Sequence, residues 1–198
     1  MRKRLLVLGA MLVLALSLSA CGSGSTPHFN ATDVSGSDWG SDFHLTAPDG
    51  KPRSLADFKG KAVVIFFGYT QCPDVCPTTL TTMAATMKLL GADANKVQVL
   101  FVTLDPERDT PEVLSKYAPA FDPRFLGLYA DAATTQATAK EFKVFYQKQA
   151  GSTPDTYTID HTAASYAFDP QGRLRLYIKH GETPEQVAAD LALLLQGK

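Results

Sequence analysis

The sequence predicts an α/β protein, a layered fold with a central mixed sheet and flanking helices. Three observations predict it. Two continuous apolar runs, Ala62–Phe67 and Val97–Leu104, are rich in branched and aromatic residues, as strands buried on both faces are. Each is followed by apolar residues at helical spacing. Near the C-terminus, two short apolar segments flank a tight turn and lead into a last helix.

In chain order, Phe43 and Leu45 with the turn Pro48-Asp49-Gly50 suggest an opening hairpin, and Leu55 and Phe58 pack ahead of Gly60. The first buried strand is Ala62–Phe67. Leu80, Met83, Ala84, Met87 and Leu90 then line one face of a helix. After the second buried strand, Thr110-Pro111-Glu112 supplies an N-cap, a first-turn proline and an early acid for a helix with Val113, Leu114, Tyr117 and Phe121 on one stripe. Leu126–Tyr129 reads as a short strand, and Asp131 caps a weaker helix running to Phe142. Asp169-Pro170-Gln171-Gly172 turns a hairpin between Ala164–Phe168 and Leu174–Ile178, and Thr183-Pro184-Glu185-Gln186 opens the final helix with Val187, Leu191, Leu194 and Leu195 inward. Strand, helix, strand, helix, hairpin, helix is an order compatible with a thioredoxin-like layered fold.

Composition bounds the function. The 198 residues are 45% hydrophobic and 20% charged with a net charge of −1, which excludes disordered, collagen-like and coiled-coil chains. There is no basic excess to neutralise phosphates, so general nucleic-acid binding is not expected. Three cysteines are too few for a disulfide-stapled miniprotein.

The N-terminus reads as an export signal. Met1-Arg2-Lys3-Arg4 is a positive start, Leu5 to Leu16 is an apolar run too short to span a bilayer, and small residues follow. Leu18-Ser19-Ala20-Cys21 resembles the lipobox of bacterial lipoproteins, which implies cleavage before Cys21 and lipid on its sulfur and new amino terminus. Residues 1–20 are then a lipoprotein signal peptide, and acyl chains on Cys21 hold the protein at a membrane, outside the cytoplasm on its periplasmic face. Loss of three cations leaves 16 against 20 acids in a mature chain of 178 residues, a net charge of −4. Residues 21–41, with nine Gly or Ser in the twenty from Gly22, read as a flexible linker, in which His28 is a solvated residue and Trp39 either caps the domain edge or meets a partner. Residues 42–198 form the single folded domain. Two cysteines remain, Cys72 and Cys76, in a compartment where an unprotected dithiol tends to close.

That pair carries the sharpest signal. Phe66-Phe67-Gly68-Tyr69-Thr70-Gln71-Cys72-Pro73-Asp74-Val75-Cys76-Pro77 places two thiols between the first buried strand and the next helix. Pro77 suits a first helical turn, so Cys76 sits at the helix N-terminus, where N–H groups and the dipole are expected to lower a thiol pKa. Sulfurs four positions apart converge on one ion or close as a disulfide, and a crosslink this local adds little stability. The three intervening residues do not match the two of ordinary thioredoxin-type redox motifs. Copper(I) is soft and accepts low coordination by sulfur plus imidazole, whereas structural zinc usually takes four protein ligands. Among the four histidines, His161 in Tyr157-Thr158-Ile159-Asp160-His161-Thr162 is best placed to join the pair; His44 and His180 fit an ordinary structural role. Asp160 either orients the imidazole or serves the turn. Asp74 either tunes the charge or faces water. Met83 and Met87 lie on the helix's apolar stripe and are expected in the core. Asp105-Pro106-Glu107-Arg108-Asp109-Thr110-Pro111 follows the second strand, either as a charged turn with a helix cap or as a docking segment.

With these residues assembled, the chain resembles the Sco/SenC family of copper proteins from about Phe43 to Leu195. The resemblance rests on the cysteine segment, on Asp105 to Pro111, on Phe121-Asp122-Pro123-Arg124-Phe125 and on Asp160-His161. It implies a thioredoxin-like domain anchored outside the cytoplasmic membrane, with a copper ion held by Cys72, Cys76 and His161. It also implies a metallochaperone role toward the binuclear copper site of cytochrome c oxidase, by delivering copper or by reducing the target's cysteines. The implied partners are the copper-bearing subunit and other extracytoplasmic copper carriers or thiol reductases. Thr162, where the family often has serine, and Tyr129-Ala130, where it often has Thr-Gly, depart from the pattern without removing a ligand. The alternative is an enzyme, a thiol–disulfide oxidoreductase cycling Cys72 and Cys76; a thiol peroxidase is weaker still, since no peroxidatic motif is visible.

Overall fold

The computed structural model describes residues 28–153 and 156–198. The expected signal peptide, Cys21 and the first part of the expected linker lie outside the described residues. The body is built on a six-stranded mixed sheet in the order β1-β10-β9-β4-β5-β6. Its strands are β1 (Thr32–Asp33), β4 (Ala62–Gly68), β5 (Val97–Thr103), β6 (Leu126–Leu128), β9 (Ser165–Phe168) and β10 (Leu174–Ile178). β4, β5 and β6 run parallel, while β9 is antiparallel to β4.

The helices are α1 (Val75–Leu90), α2 (Pro111–Phe121), α3 (Ala132–Glu141) and α4 (Pro184–Leu195). Two small hairpins complete the architecture, β2 (Leu45–Thr46) with β3 (Pro52–Arg53), and β7 (Tyr146–Gln149) with β8 (Thr158–His161).

Strand β4 is buried at every residue, and its alternation divides the core. Val64 and Phe66 face Leu80, Met83 and Met87 of α1 and Leu191 and Leu194 of α4. Val63, Ile65 and Phe67 face Leu45, Phe142, Tyr166 and Phe168 on the other side. Each fully buried side chain of this kind contributes about 1.5–3 kcal/mol. The helix starts are those the sequence dictates. The side chains of Thr110, Asp131 and Thr183 each accept an N–H of their helix's first turn, and Thr183 with Gln186 closes a capping box.

Three expectations need correction. The composition predicts a flexible linker through Ser41, but the chain is packed on the body from Phe29 onward. Phe29 and Ala31 are buried, β1 pairs with the outer edge of β10, and the Asp190 carboxylate, itself fully buried, accepts from Asn30 N (2.9 Å) and Ala31 N (2.8 Å). A polar, Gly/Ser-rich composition hid this because the partner carboxylate lies 160 residues away. Trp39, at the domain edge, meets Tyr166 edge-on at 5.9 Å. Val113 is exposed, as α2 buries Leu114 and Ala118 instead. The third is the β7–β8 hairpin, whose polar residues gave no strand period and which places His161 in a strand.

Candidate metal centre

The site lies at the carboxyl end of β4 and β5, where parallel strands of an open sheet expose their functional rim. Gly68 ends β4, and the chain then loops over Cys72 into α1. An added Cβ at Gly68 would stand 2.7 Å from the Cys76 sulfur, so the absence of a side chain there makes room for the thiol. Both cysteines are free thiols, Cys72 half-buried and Cys76 fully buried.

The cysteine loop is held from below by Asp109. Its carboxylate, 1% exposed, accepts from Thr70 N (3.0 Å), Thr70 Oγ1 (2.6 Å) and Thr103 Oγ1 (2.6 Å). Burial raises the Asp109 pKa, and the bonds from Thr103 and Thr70 partly offset that.

His161 arrives from the opposite side on β8, paired in register with Tyr146 of β7. Its Nδ1 lies 2.9 Å from the Thr162 carbonyl, which can only accept; Nδ1 therefore carries the proton and Nε2 is left with a free lone pair. That Nε2 lies 3.4 Å from the Cys76 sulfur. Burial lowers the His161 pKa and favours the neutral ring that a metal requires. Phe66 and Tyr69 meet the imidazole edge-on, each at 6.0 Å between centroids. One donor atom from each of Cys72, Cys76 and His161 can be chosen so that all lie within 4.8 Å of one another, the one such cluster of three among the described residues.

The expected dipole effect on Cys76 does not appear. Burial of the fully enclosed sulfur pushes its thiol well up, the reverse of the expected lowering. The helix N-terminus is aimed instead at Cys72, whose sulfur accepts the Cys76 N–H at 3.4 Å.

Asp160 does not orient the imidazole: its carboxylate accepts from Gln149 Nε2 at 2.8 Å, and the Thr162 carbonyl takes the orienting place. Asp74 faces water. Met83 and Met87 are buried in the core. His44 is exposed, and so is His180, with Nδ1 3.2 Å from Thr79 Oγ1.

The charged segment after β5 turns inward, which neither alternative for it foresaw in full. Thr110 caps α2 as expected, but Asp105 and Asp109 are buried. Asp105 pairs with Arg108 Nε and accepts from the Tyr157 hydroxyl at 2.6 Å. Arg108 also donates Nη1 to Gln71 Oε1 (3.2 Å) and to the Tyr157 carbonyl (3.0 Å), and its guanidinium lies 3.5 Å over the Tyr157 ring. One arginine thus joins the cysteine loop to the chain entering β8. Sequence reasoning missed this clamp. Its one local signal was a charged run directly after a fully apolar strand.

Thr162 keeps the hydroxyl that its position uses, accepting from Phe145 N at 3.1 Å while its own N–H donates to the Phe145 carbonyl. The other departure is equally contained, since Tyr129 is bonded through its backbone to Thr46.

Residues 31–196 match the SCO1/SenC family model. The chain belongs to the SCO1/SenC family. Among its relatives in that family, an SCO2-like protein of Rickettsia felis is 37% identical over 142 residues, covering 71% of this chain and 68% of that protein. The mitochondrial SCO2 homolog of Bos taurus is 35% identical over 148 residues, 74% of this chain but only 56% of its own length. The chain thus spans between about half and two thirds of these relatives' lengths. Of solved SCO1/SenC structures, copper-bound ScoI of Bradyrhizobium japonicum is 41% identical with a TM-score of 0.71, covering 77% of this chain and 97% of that one. Apo Sco1 of Thermus thermophilus is 41% identical with a TM-score of 0.76, covering 86% and 99%. The thioredoxin-like expectation for the fold is met by these neighbours and by the mixed sheet itself.

Proposed function

We propose that this protein is a copper metallochaperone whose cargo ion is held by the sulfurs of Cys72 and Cys76 and by Nε2 of His161. The observation that carries the reading is the convergence of two thiols and a preset neutral imidazole within 4.8 Å. The donor set fits a soft, low-coordinate ion and falls short of the four protein ligands of structural zinc. Copper displaces the Cys76 proton that burial retains, so loading releases protons and is favoured by rising pH. The half-exposed Cys72 sulfur is the side from which the ion is passed on.

The recipient is the binuclear copper site of the copper-bearing subunit of cytochrome c oxidase, the assembly role for which the family is known. Support for the setting comes from the leader. Residues 1–20 act as a lipoprotein signal, Cys21 carries lipid, and the residues after it join the anchor to the body, which faces the periplasm. No helix among the described residues is long and apolar enough to cross a membrane.

His161 separates this reading from simple thiol–disulfide exchange, which has no need of an imidazole. In competition titration against a copper(I) chelator, His161→Ala is expected to bind copper at least tenfold more weakly. Its Cys72–Cys76 couple should still oxidise and reduce. Wild-type copper affinity in that variant would sink the three-ligand site.

A further inference from the structure

Outside the metal centre, one surface combines an exposed aromatic side chain with unbalanced charge. An open groove of about 660 Å³ runs between α3 and the chain entering β7. Buried Ala139 and Val144 and exposed Ala133, Ala137 and Phe145 line it, and Lys140 and Lys143 line it without any carboxylate. Phe145 is 63% exposed, the most exposed large apolar side chain among the described residues. Lys143 turns the backbone from α3 toward β7 with φ of 53°, a left-handed conformation that lysine rarely adopts.

This groove adjoins the metal centre through the backbone. Tyr146 is paired in register with His161, and Phe145 exchanges two hydrogen bonds with Thr162. Tyr146, opposite His161, is half-buried against the core, whereas Phe145, just before β7, is exposed. Phe145 therefore stands exposed beside the hairpin that presents the imidazole.

We propose that the groove between α3 and β7 seats an acidic segment with an apolar anchor, belonging to the protein that receives copper. The inference rests on the metallochaperone reading and adds where and by what chemistry the recipient docks. Two lysines with no opposing acid select a negatively charged partner and steer its approach. Phe145 and the alanine and valine lining offer the apolar contact around which affinity concentrates. A partner seated there is held beside the hairpin that carries one of the three copper ligands.

The test uses the full chain and, as probe, the copper-free soluble copper-binding domain of a cytochrome c oxidase subunit. Association is read by titration at low and high salt, and copper transfer is read separately. Phe145→Ala, Lys140→Glu and Lys143→Glu are each expected to weaken association about tenfold or more, with unchanged copper affinity. Lys140→Arg should retain binding, and high salt should weaken the wild type. Leu89→Ser serves as control, because this exposed leucine near the far end of α1 is roughly 20 Å along the helix from Cys76.

Wild-type association in the Phe145 variant or in both charge reversals overturns the proposal. So does a loss confined to Phe145→Ala, which would remove the acidic partner. Self-association of the chain that Phe145→Ala abolishes also overturns it, since the groove would then seat a second copy. If the probe binds at the groove but takes no copper, docking stands and the transfer reading fails. If it takes copper equally well from every variant, transfer stands and docking fails. A domain that neither binds nor receives copper defeats both.

Discussion

The two halves of the metal centre are held in different ways. The cysteine half grows out of the core: β4 is buried along its whole length, Cys76 is enclosed, and Asp109 ties the loop with three hydrogen bonds. The histidine half sits on a two-stranded hairpin outside the main sheet, with three of the four residues of β7 exposed. A pair of strands is marginal alone. What holds it is a side-chain clamp, centred on Arg108 and Tyr157, reinforced by the ion pair of Glu107 with Lys148 at 2.7 Å. Enclosure in the core fixes the Cys76 sulfur, while the imidazole is carried by a hairpin with one core residue, Ile159, and a few polar contacts.

The largest expected effect comes from breaking the clamp. Arg108→Ala leaves the fully buried Asp105 carboxylate without its cation, at a cost of about 3–5 kcal/mol, seen as a lower denaturant midpoint. Copper affinity should fall with it, because the hairpin is freed. Arg108→Lys is expected to restore little, since an ammonium cannot both stack on Tyr157 and bridge Gln71 to the Tyr157 carbonyl.

Next comes an intrusion into the cysteine half. Gly68→Ala places a methyl 2.7 Å from the Cys76 sulfur and 3.0 Å from the Phe101 ring. The displacement costs about 1–3 kcal/mol and weakens copper binding while leaving the hairpin contacts intact. Undiminished copper affinity in this variant would mean that the sulfur position is less constrained than the packing implies.

A smaller effect is one of pH. Burial raises the Asp109 pKa above its ordinary 3.8, so the fold favours the protonated acid. That contribution to stability is present in full below 3.8 and is lost as pH rises through the raised value. Asp109→Asn, whose amide can donate to the Thr70 hydroxyl where the carboxylate accepts, should flatten this part of the stability–pH curve. An unchanged slope in thermal melts would remove Asp109 as its source.

The smallest effect sharpens the contrast. Lys148→Ala removes an exposed pair and a contact 4.6 Å over the Tyr157 ring, worth about 0.2–1 kcal/mol. If it loosens copper binding as much as Arg108→Ala does, the hairpin is held by its rim and the buried clamp is secondary.

The same contrast explains what could be read from sequence. The cysteine half is local, and strand, thiols and first-turn proline follow one another within sixteen residues of chain, so spacing alone located it. The two buried strands and the four α-helices among the described residues were equally legible, because period and caps are local properties. His161 was legible as a residue but its strand was not. Tyr146–Gln149 and Thr158–His161 are too short and polar to show a strand period, with Ile159 the one apolar residue in the core, and Arg108 on another element helps to hold them. The chain's entry through Phe29 to Asp33 failed for the same reason, its partner lying on α4. The Cys76 expectation failed differently: dipole proximity is visible in sequence, and complete enclosure of a sulfur is not.

The Asp190 contact has a mechanical consequence. Asn30 and Ala31 are bound to one buried carboxylate, and Thr32 and Asp33 to β10, at the edge of the sheet where the leading segment meets the body. These contacts, on α4 and β10, are the first that a pull on the leading segment would meet. Two strands, β10 and β9, separate that edge from β4 and the sulfurs. A body tethered through its leading segment would therefore take a pull first on α4 and β10, and through α4 on α1, the helix that carries Cys76.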